Sequence, residues 1–214
     1  MLGVAAPWLE WAGVAVFALT GALVAARKGM DPIGFMLLAT VTGVGGGTLR
    51  DLLIGVRPVF WISDPTDVLV CMAVAVLVFA GGGRFPVRAG GGRRRRLILW
   101  ADAAGLALFS VTGAERAIAF GASPLVAVAL GTMTATFGGI IRDILANEVP
   151  LVLAREIYIT AAVVGATAYV VALHLALPPL AAELAGVASG FGLRGLALAR
   201  GWSMPNFQPP ADGA

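Results

Sequence analysis

Long apolar stretches, separated by short joints rich in polar residues, glycine and proline, dominate the chain. Seven stand out, at approximately 8–26, 32–54, 66–80, 97–118, 124–146, 156–175 and 180–199. A helix needs about 20 residues to cross a bilayer. Six stretches meet that length, and the third is expected to reach back toward Ile62. Apolar and polar positions do not alternate with a period of two, which argues against a membrane β-barrel. No Lys or Arg precedes the first stretch, and Arg27 and Lys28 follow it. That is the reverse of a secretory leader, so the stretch is expected to be a true span.

The pattern repeats. Shifted by 92 positions, residues 8–58 match residues 100–150 without a gap, with 20 identities in 51 positions. The matches include Trp8/Trp100, Phe17/Phe109, Thr20/Thr112, Gly21/Gly113, Pro32/Pro124, Thr40/Thr132 and Thr42/Thr134. They continue through Gly46/Gly138, Gly47/Gly139, Arg50/Arg142, Asp51/Asp143 and Pro58/Pro150, and Glu10 faces Asp102, acid for acid. Each copy holds three spans. Because three is odd, the second copy enters the membrane from the opposite side, as in inverted-repeat transporters. The predicted fold is an all-α integral membrane protein of seven helices, two inverted triplets and a seventh helix outside the repeat. Gly186, Ser189, Gly190 and Gly192 give the seventh helix a small face suited to close packing. The chain reads as one transmembrane domain over 1–214. Its parts are a first repeat at 8–80, a basic cytoplasmic loop at 81–96, a second repeat at 97–176, the seventh helix at 180–200 and a flexible tail at 201–214.

Composition removes the soluble alternatives. Of 214 residues, 59% are hydrophobic and 13% charged, against about 25% charged in ordinary soluble domains. Too few polar side chains exist to cover a water-exposed globule. The 29 Gly and 12 Pro fit membrane helices, where small residues let backbones approach. Six of the 15 basic residues, Arg84, Arg88 and the run 93–96, fall between the third and fourth spans. Beside a span, such a run reads as a topology signal drawn to anionic headgroups rather than as a nucleic-acid site. Arg27, Lys28, Arg155 and Arg200 fall on the same side as that run, and Arg57 on the other. The positive-inside rule then places the N-terminus outside and the C-terminus in the cytoplasm. Trp8, Trp11, Trp61 and Trp100 suit the aromatic belts. The lone Cys71 excludes an intrachain disulfide and reads as a small buried hydrophobe.

The candidate chemistry lies in the second and fifth spans. Glycines interrupt both, Gly43 and Gly45–47 in one and Gly138 and Gly139 in the other, and each group is followed by an Arg-Asp pair, Arg50-Asp51 and Arg142-Asp143. A helix broken at mid-membrane frees carbonyls that can replace part of a cation's hydration shell, and Thr40, Thr42, Thr132 and Thr134 add hydroxyl oxygens. Ionised residues within a span are costly and mark a polar pathway or a pairing site. Sequence neighbours point about 100° apart on a helix, so Arg50 is expected to pair with Asp143 and Arg142 with Asp51. Arginine repels cations, which favours a gating or clamping role over direct coordination. Two plainer readings stand beside this one: the glycines form small faces for helix crossing, and the Arg-Asp pairs lock the repeats together. The coincidence of break, charge and symmetry, twice over, favours permeation. Glu10 and Asp102, near span starts, read as interfacial or pore-mouth acids, the interfacial reading favoured, Glu115-Arg116 as a local pair, and His174 as an interfacial residue near a span end. Glu183 in the seventh span has no assigned role.

The segments Gly45-Gly46-Gly47-Thr48-Leu49-Arg50-Asp51, then Pro58-Val59-Phe60-Trp61, and Gly138-Gly139-Ile140-Ile141-Arg142-Asp143 resemble the bacterial relatives of the trimeric intracellular cation (TRIC) channels. The resemblance covers nearly the whole chain. It implies a homotrimer in the bacterial inner membrane, surrounded by membrane lipids. Each protomer would have its own pore lined by the kinked second and fifth helices and would pass monovalent cations, chiefly potassium. The kinks would fall at Gly45–47 and Gly138–139. Phe137 stands where the first copy has Gly45, so the two halves are not equivalent and Phe137 could narrow one side of the path. No cofactor or metal is implied beyond the transported cation, with a bound phospholipid left open, and no enzyme motif is present. The same bacterial group also carries a glycine-transporter label, which is the competing function. A non-conducting structural protein is the third.

Overall fold

Matching start and stop signals bound the helices that carry the doubled motif. Among the described residues of the computed structural model, helices form at α1 Pro7–Lys28, α2 Pro32–Ile54, α3 Phe60–Ser63, α4 Thr66–Ala80, α5 Gly91–Ala119, α6 Pro124–Leu145, α7 Ile159–His174 and α8 Pro179–Arg200. A 3-10 turn, Leu151–Leu153, follows α6. The structure describes residues 7–82, 91–153 and 157–205. Arg84, Arg88, Arg155 and residues 206–214 of the tail lie outside them, as do the side chains of Trp8, Arg93 and Arg94.

Pro32 and Pro124 occupy the first turns of α2 and α6, where a missing N–H costs nothing. The Asp31 carboxylate accepts from the Gly34 amide at 2.7 Å, a cap worth about 1 kcal/mol. At the far ends, Gly55 (φ 75) and its repeat partner Asn147 (φ 52) turn left-handed. The amides of Val56 and Glu148 then donate back to the Asp51 and Asp143 carbonyls, both at 2.9 Å.

Two boundaries differ from the sequence expectation. The third span does not extend smoothly back to Ile62, because α3 is a separate helical turn and Pro65 caps the start of α4. The fourth begins at Gly91 rather than Leu97. The arginine run is polar but helix-favouring, so an apolar window misses it.

Helix α1 packs on α2 and α4, and α5 packs on α6 and α7. The repeats meet through α2 against α6 and α1 against α5, while α8 lies on α7 and α5. Near the pseudo-two-fold axis the equivalent rings Phe17 and Phe109 meet edge-on, 5.0 Å between centroids. Among the described residues four helices, α1, α2, α5 and α6, are long and apolar enough to cross a membrane, while α4 and α7, of 15 and 16 residues, are shorter. Leu69, Met72, Val76 and Leu77 leave the outer face of α4 apolar and exposed. In α8, Glu183 and Arg194 are turned inward and buried.

Both α2 and α6 remain α-helical through their glycines, so the expected interruption is absent. What the glycines supply is proximity. A Cβ on Gly46 would collide with the Thr134 carbonyl, and one on Gly138 with the Thr42 carbonyl. These are the same contact, reflected through the repeat. The α2 and α6 backbones cross there in an antiparallel sense, and neither glycine tolerates a side chain.

Candidate functional site

The antiparallel crossing fixes where the charged pairs lie. Position 46 of α2 meets 134 of α6 and 42 meets 138, so Arg50 and Arg142 each stand six residues beyond its middle, on opposite sides. At 1.5 Å rise per residue they are about 18 Å apart along the helix axes. The predicted exchange, Arg50 with Asp143 and Arg142 with Asp51, is therefore out of reach. Each arginine instead folds back onto its own neighbour. Arg50 Nε and Nη2 donate to Asp51 Oδ1 at 2.9 and 2.7 Å, and Arg142 Nε donates to Asp143 Oδ1 at 2.8 Å. The 100° offset describes Cα–Cβ directions, and a long arginine stem bends past it.

The second oxygen of each aspartate holds the chain that leaves the helix. Asp51 Oδ2 accepts from the Phe60 amide at 3.0 Å and Asp143 Oδ2 from the Leu151 amide at 3.1 Å. Each Arg-Asp pair thus ties a helix end to the turn that follows it. All four residues are buried, an arrangement that persists only when charges are paired and hydrogen-bonded.

Beyond this shared plan the two ends diverge. Arg142 Nη1 also donates to Asp102 Oδ1 of α5 at 2.7 Å and to Thr20 Oγ1 of α1 at 2.9 Å. One guanidinium therefore links α6, α5 and α1 across the repeat boundary. Asp102 is not an interfacial acid, as its place near a span start had suggested, but fully buried, with Arg142 satisfying one of its oxygens. Tyr158, just before α7, is buried beside it. At the other end, Arg50 lies 5.7 Å from the Phe60 ring centroid, and Arg116 of α5 approaches Asp51 Oδ1 at 3.7 Å. Thr112, the repeat partner of Thr20, is buried with its hydroxyl unbonded. The Arg142 end is thus a closed hydrogen-bonded knot, whereas at the Arg50 end two cations share one carboxylate.

A cavity of about 240 Å³ opens onto Arg142 and Asp143, with Arg27, Arg95, Glu148 and Leu151 among its walls. Arg27 and Lys28 both pair with Glu148 at its rim, joining the end of α1 to the turn after α6. These side chains are about a third exposed. Glu148→Gln is therefore expected to change stability by less than about 1 kcal/mol, the usual scale for exposed pairs. A thermal midpoint measured at low and high salt should show that small difference shrinking as salt rises.

The threonines lie along the crossing, but their hydroxyl protons are spent locally. Thr42, Thr132 and Thr134 donate to Leu38, Val128 and Leu130 carbonyls of their own helices. Thr40 and Phe137 are half-buried. Gly45 faces the tip of Ile141 at 3.2 Å, and Gly47 and Gly139 face Phe60 and the Tyr158 hydroxyl. Cys71 is buried against Gly43. His174 ends α7 in an exposed position. Sequence reasoning missed the partnership of Thr20, Asp102 and Tyr158 with Arg142. The first two did stand out as repeated positions.

Comparisons with known proteins agree with this architecture. A family model described as Glycine transporter matches residues 7–82 and 99–174, one repeat each. The UPF0126 inner membrane protein YadS of Escherichia coli K12 is 39% identical over 211 residues, covering 96% of this chain and 98% of that protein. The solved TRIC trimeric intracellular cation channel orthologue from Rhodobacter sphaeroides is 51% identical, with a TM-score of 0.85 over 92% of this chain and 98% of that one. A second structure, described as showing the structural basis for conductance through TRIC cation channels, is 33% identical. Its TM-score is 0.83 over 97% of this chain and all of the other. Two triplets related by inversion, each closing on a Gly-Gly and Arg-Asp helix end, and near-complete matches to these proteins place the chain in the bacterial TRIC family of membrane proteins, the group that the glycine-transporter family model also describes.

Proposed function

We propose that this protein is a cation channel of the bacterial inner membrane, passing monovalent cations, potassium among them. Each protomer of a homotrimer carries one path beside the α2–α6 crossing. The N-terminus faces outward and the C-terminus the cytoplasm, so the Arg142 end with its basic rim is the cytoplasmic one. The observation that carries this reading is the 51% identity, over nearly the whole length, to a solved protein described as a TRIC cation channel orthologue.

The geometry supplies a physical rationale. Carboxylates at both ends, Asp51 on one side and Asp102 and Asp143 on the other, lower the electrostatic cost for a cation, while the guanidiniums that neutralise them act as clamps. Arg142 ties α1, α5 and α6 together at this end, so its bonds to Thr20 and Asp102 are the contacts that a gate here would have to break.

Purified protein in a planar bilayer under a potassium chloride gradient tests the reading. Discrete steps that reverse near the potassium potential are expected, and Asp51→Asn should lower the current several-fold. The family model's description keeps one alternative in view, a glycine carrier built on the same two repeats. A silent bilayer together with saturable glycine uptake into liposomes would establish that carrier instead. Silence in both assays would leave the charged ends as packing devices.

A further inference from the structure

A buried arginine inside a span is costly and marks a functional contact or a pairing site, and α8 carries one that the two repeats do not account for. Arg194 is 1% exposed, as is Arg142. It continues a stripe of glycines. Gly186, Gly190 and Arg194 are spaced by four and so share one face of α8. A Cβ on Gly186 would lie 2.9 Å from the Gly165 carbonyl oxygen of α7, and one on Gly190 would lie 3.2 Å from that of Ala161. The glycines hold α8 against α7 at backbone distance, and the next residue on that face reaches the start of α7. There Arg194 Nη1 donates to the Ile157 carbonyl at 3.3 Å. Its guanidinium lies 5.3 Å from the centroid of the Tyr158 ring, within cation–π range.

The tyrosine passes this hold on to the Arg142 knot. Tyr158 is buried, and its hydroxyl faces the Asp102 carboxylate as a donor. The groups meet over one glycine. A Cβ on Gly139 would sit 3.0 Å from the Tyr158 hydroxyl, 3.6 Å from Arg142 Nη2 and 3.8 Å from Asp102 Oδ1. Asp102 Oδ1 in turn accepts from Arg142 Nη1 at 2.7 Å, and the same nitrogen donates to Thr20. A chain of contacts therefore runs from Arg194 of α8 through Tyr158 and Asp102 to Arg142 of α6 and Thr20 of α1. Polar contacts linked in this way strengthen one another in a dry interior. In the first repeat, the position 92 residues before Tyr158 is Thr66, whose hydroxyl donates to Asp64 at 2.6 Å instead. This arm of the cluster belongs to the Arg142 end.

We propose that Arg194 is a positioning residue for the Arg142 end: it keeps Tyr158 against Asp102, and so sets how firmly Arg142 holds Thr20. The proposal rests on the channel reading for its biological meaning, since these are the contacts that a gate would break, but not for its test. It gives the seventh span, which lies outside the repeat, a role of its own. Helix α8 packs on α7 and α5. A shift of α8 along α7 carries Arg194 off the ring and loosens a bond made by α6.

Exchange of the arginine Nε–H protons with water, followed by NMR on the full-length purified protein, tests this without conduction. Arg142 and Arg50 each bond Nε to the neighbouring aspartate, one at each end, so Arg142 reports the knot and Arg50 is the control. Arg194→Gln is expected to speed exchange at Arg142 about tenfold and to leave Arg50 unchanged, the mark of local rather than global opening. Tyr158→Phe keeps the ring under Arg194, removes only the hydroxyl, and should speed Arg142 to a similar degree. Combining the two should add little, because both cut one chain. Arg194→Lys keeps a cation on the ring and should restore most of the protection. Unchanged exchange at Arg142 in Arg194→Gln would overturn the proposal, as would equal acceleration at both arginines or effects of the two variants that simply multiply. Should Arg194→Gln not fold, Tyr158→Phe decides alone, since unchanged exchange at Arg142 there breaks the chain at its middle. In a planar bilayer Arg194→Gln should raise the open probability several-fold at unchanged unitary conductance, and an unchanged open probability in a conducting protein would overturn the brace. Selectively faster exchange at Arg142 beside a silent bilayer would remove conduction and keep it.

Discussion

Gly46→Ala is expected to destabilise the protein by about 3 kcal/mol, the upper end of what overpacking a filled interior costs. For a chain of this size that is a fall of roughly 6–12 °C in the thermal midpoint. The added methyl would overlap the Thr134 carbonyl. A backbone carbonyl cannot rotate away as a side-chain tip can, so α2 and α6 must separate. Gly138→Ala meets the Thr42 carbonyl and should cost about as much. The two changes strain one crossing, so together they should cost less than their sum, since sites that share a contact do not add. Gly45 supplies the control. Its Cβ would meet only the tip of Ile141 at 3.2 Å and the Gly138 Cα at 3.8 Å. Gly45→Ala should therefore change stability by less than about 1 kcal/mol, part of it offset by alanine's better helix propensity. Comparable losses for adjacent positions 45 and 46 in a thermal-shift series would show that the crossing is not the tight contact described here.

That contrast between neighbouring glycines shows where the sequence was legible. Pairing Gly46 with Gly138 needed only the repeat, and so did the antiparallel relation of α2 and α6. The helix boundaries were legible wherever polarity and helix end coincide, as at Pro32–Ile54. They were missed where the two separate, as when α5 carries charged arginines out past the apolar window. Hydropathy records the slab of membrane a segment meets, not the hydrogen bonding of its backbone. For the same reason the glycine clusters looked like breaks. Weak intrinsic propensity is overridden when close packing rewards the helix, and only the partner helix reveals that.

The site was half legible. Arg50, Asp51, Arg142 and Asp143 were identified from charge within a span, but not their partners. Partner choice depends on which helices lie alongside, and symmetry alone pointed to an exchange that the 18 Å offset forbids. The inequality of the two ends was hinted at by Phe137 facing Gly45 in the alignment of repeats. It resides instead in Asp102, Thr20 and Tyr158, contributed by three helices or their approaches. No local pattern joins residues so far apart in sequence.

Because the ends are unequal, the same substitution should have unequal effects. Arg142→Leu removes the guanidinium that binds two buried carboxylates, Asp102 and Asp143. Breaking a buried ion pair from one side costs about 3–5 kcal/mol, or a midpoint fall of roughly 6–20 °C in a protein of this length. Asp143 keeps its bond from the Leu151 amide, so Asp102 carries most of the loss. Adding Asp102→Asn should recover a measurable part of it, which a purely steric effect of leucine would not allow. Arg142→Lys should not restore the wild type, since an ammonium lacks the planar fork that reaches Thr20, Asp102 and Asp143 together. Arg50→Leu should cost less, about 1–3 kcal/mol, the scale of one unsatisfied buried partner. Asp51 would still accept from the Phe60 amide, and Arg116, already 3.7 Å away, can close onto the oxygen that Arg50 leaves. Arg116→Leu in the Arg50→Leu background should then bring the loss up toward that of Arg142→Leu. Equal midpoints for the two single arginine variants would mean that Arg116 does not stand in for Arg50, and that the two ends, despite their different partners, are energetically alike.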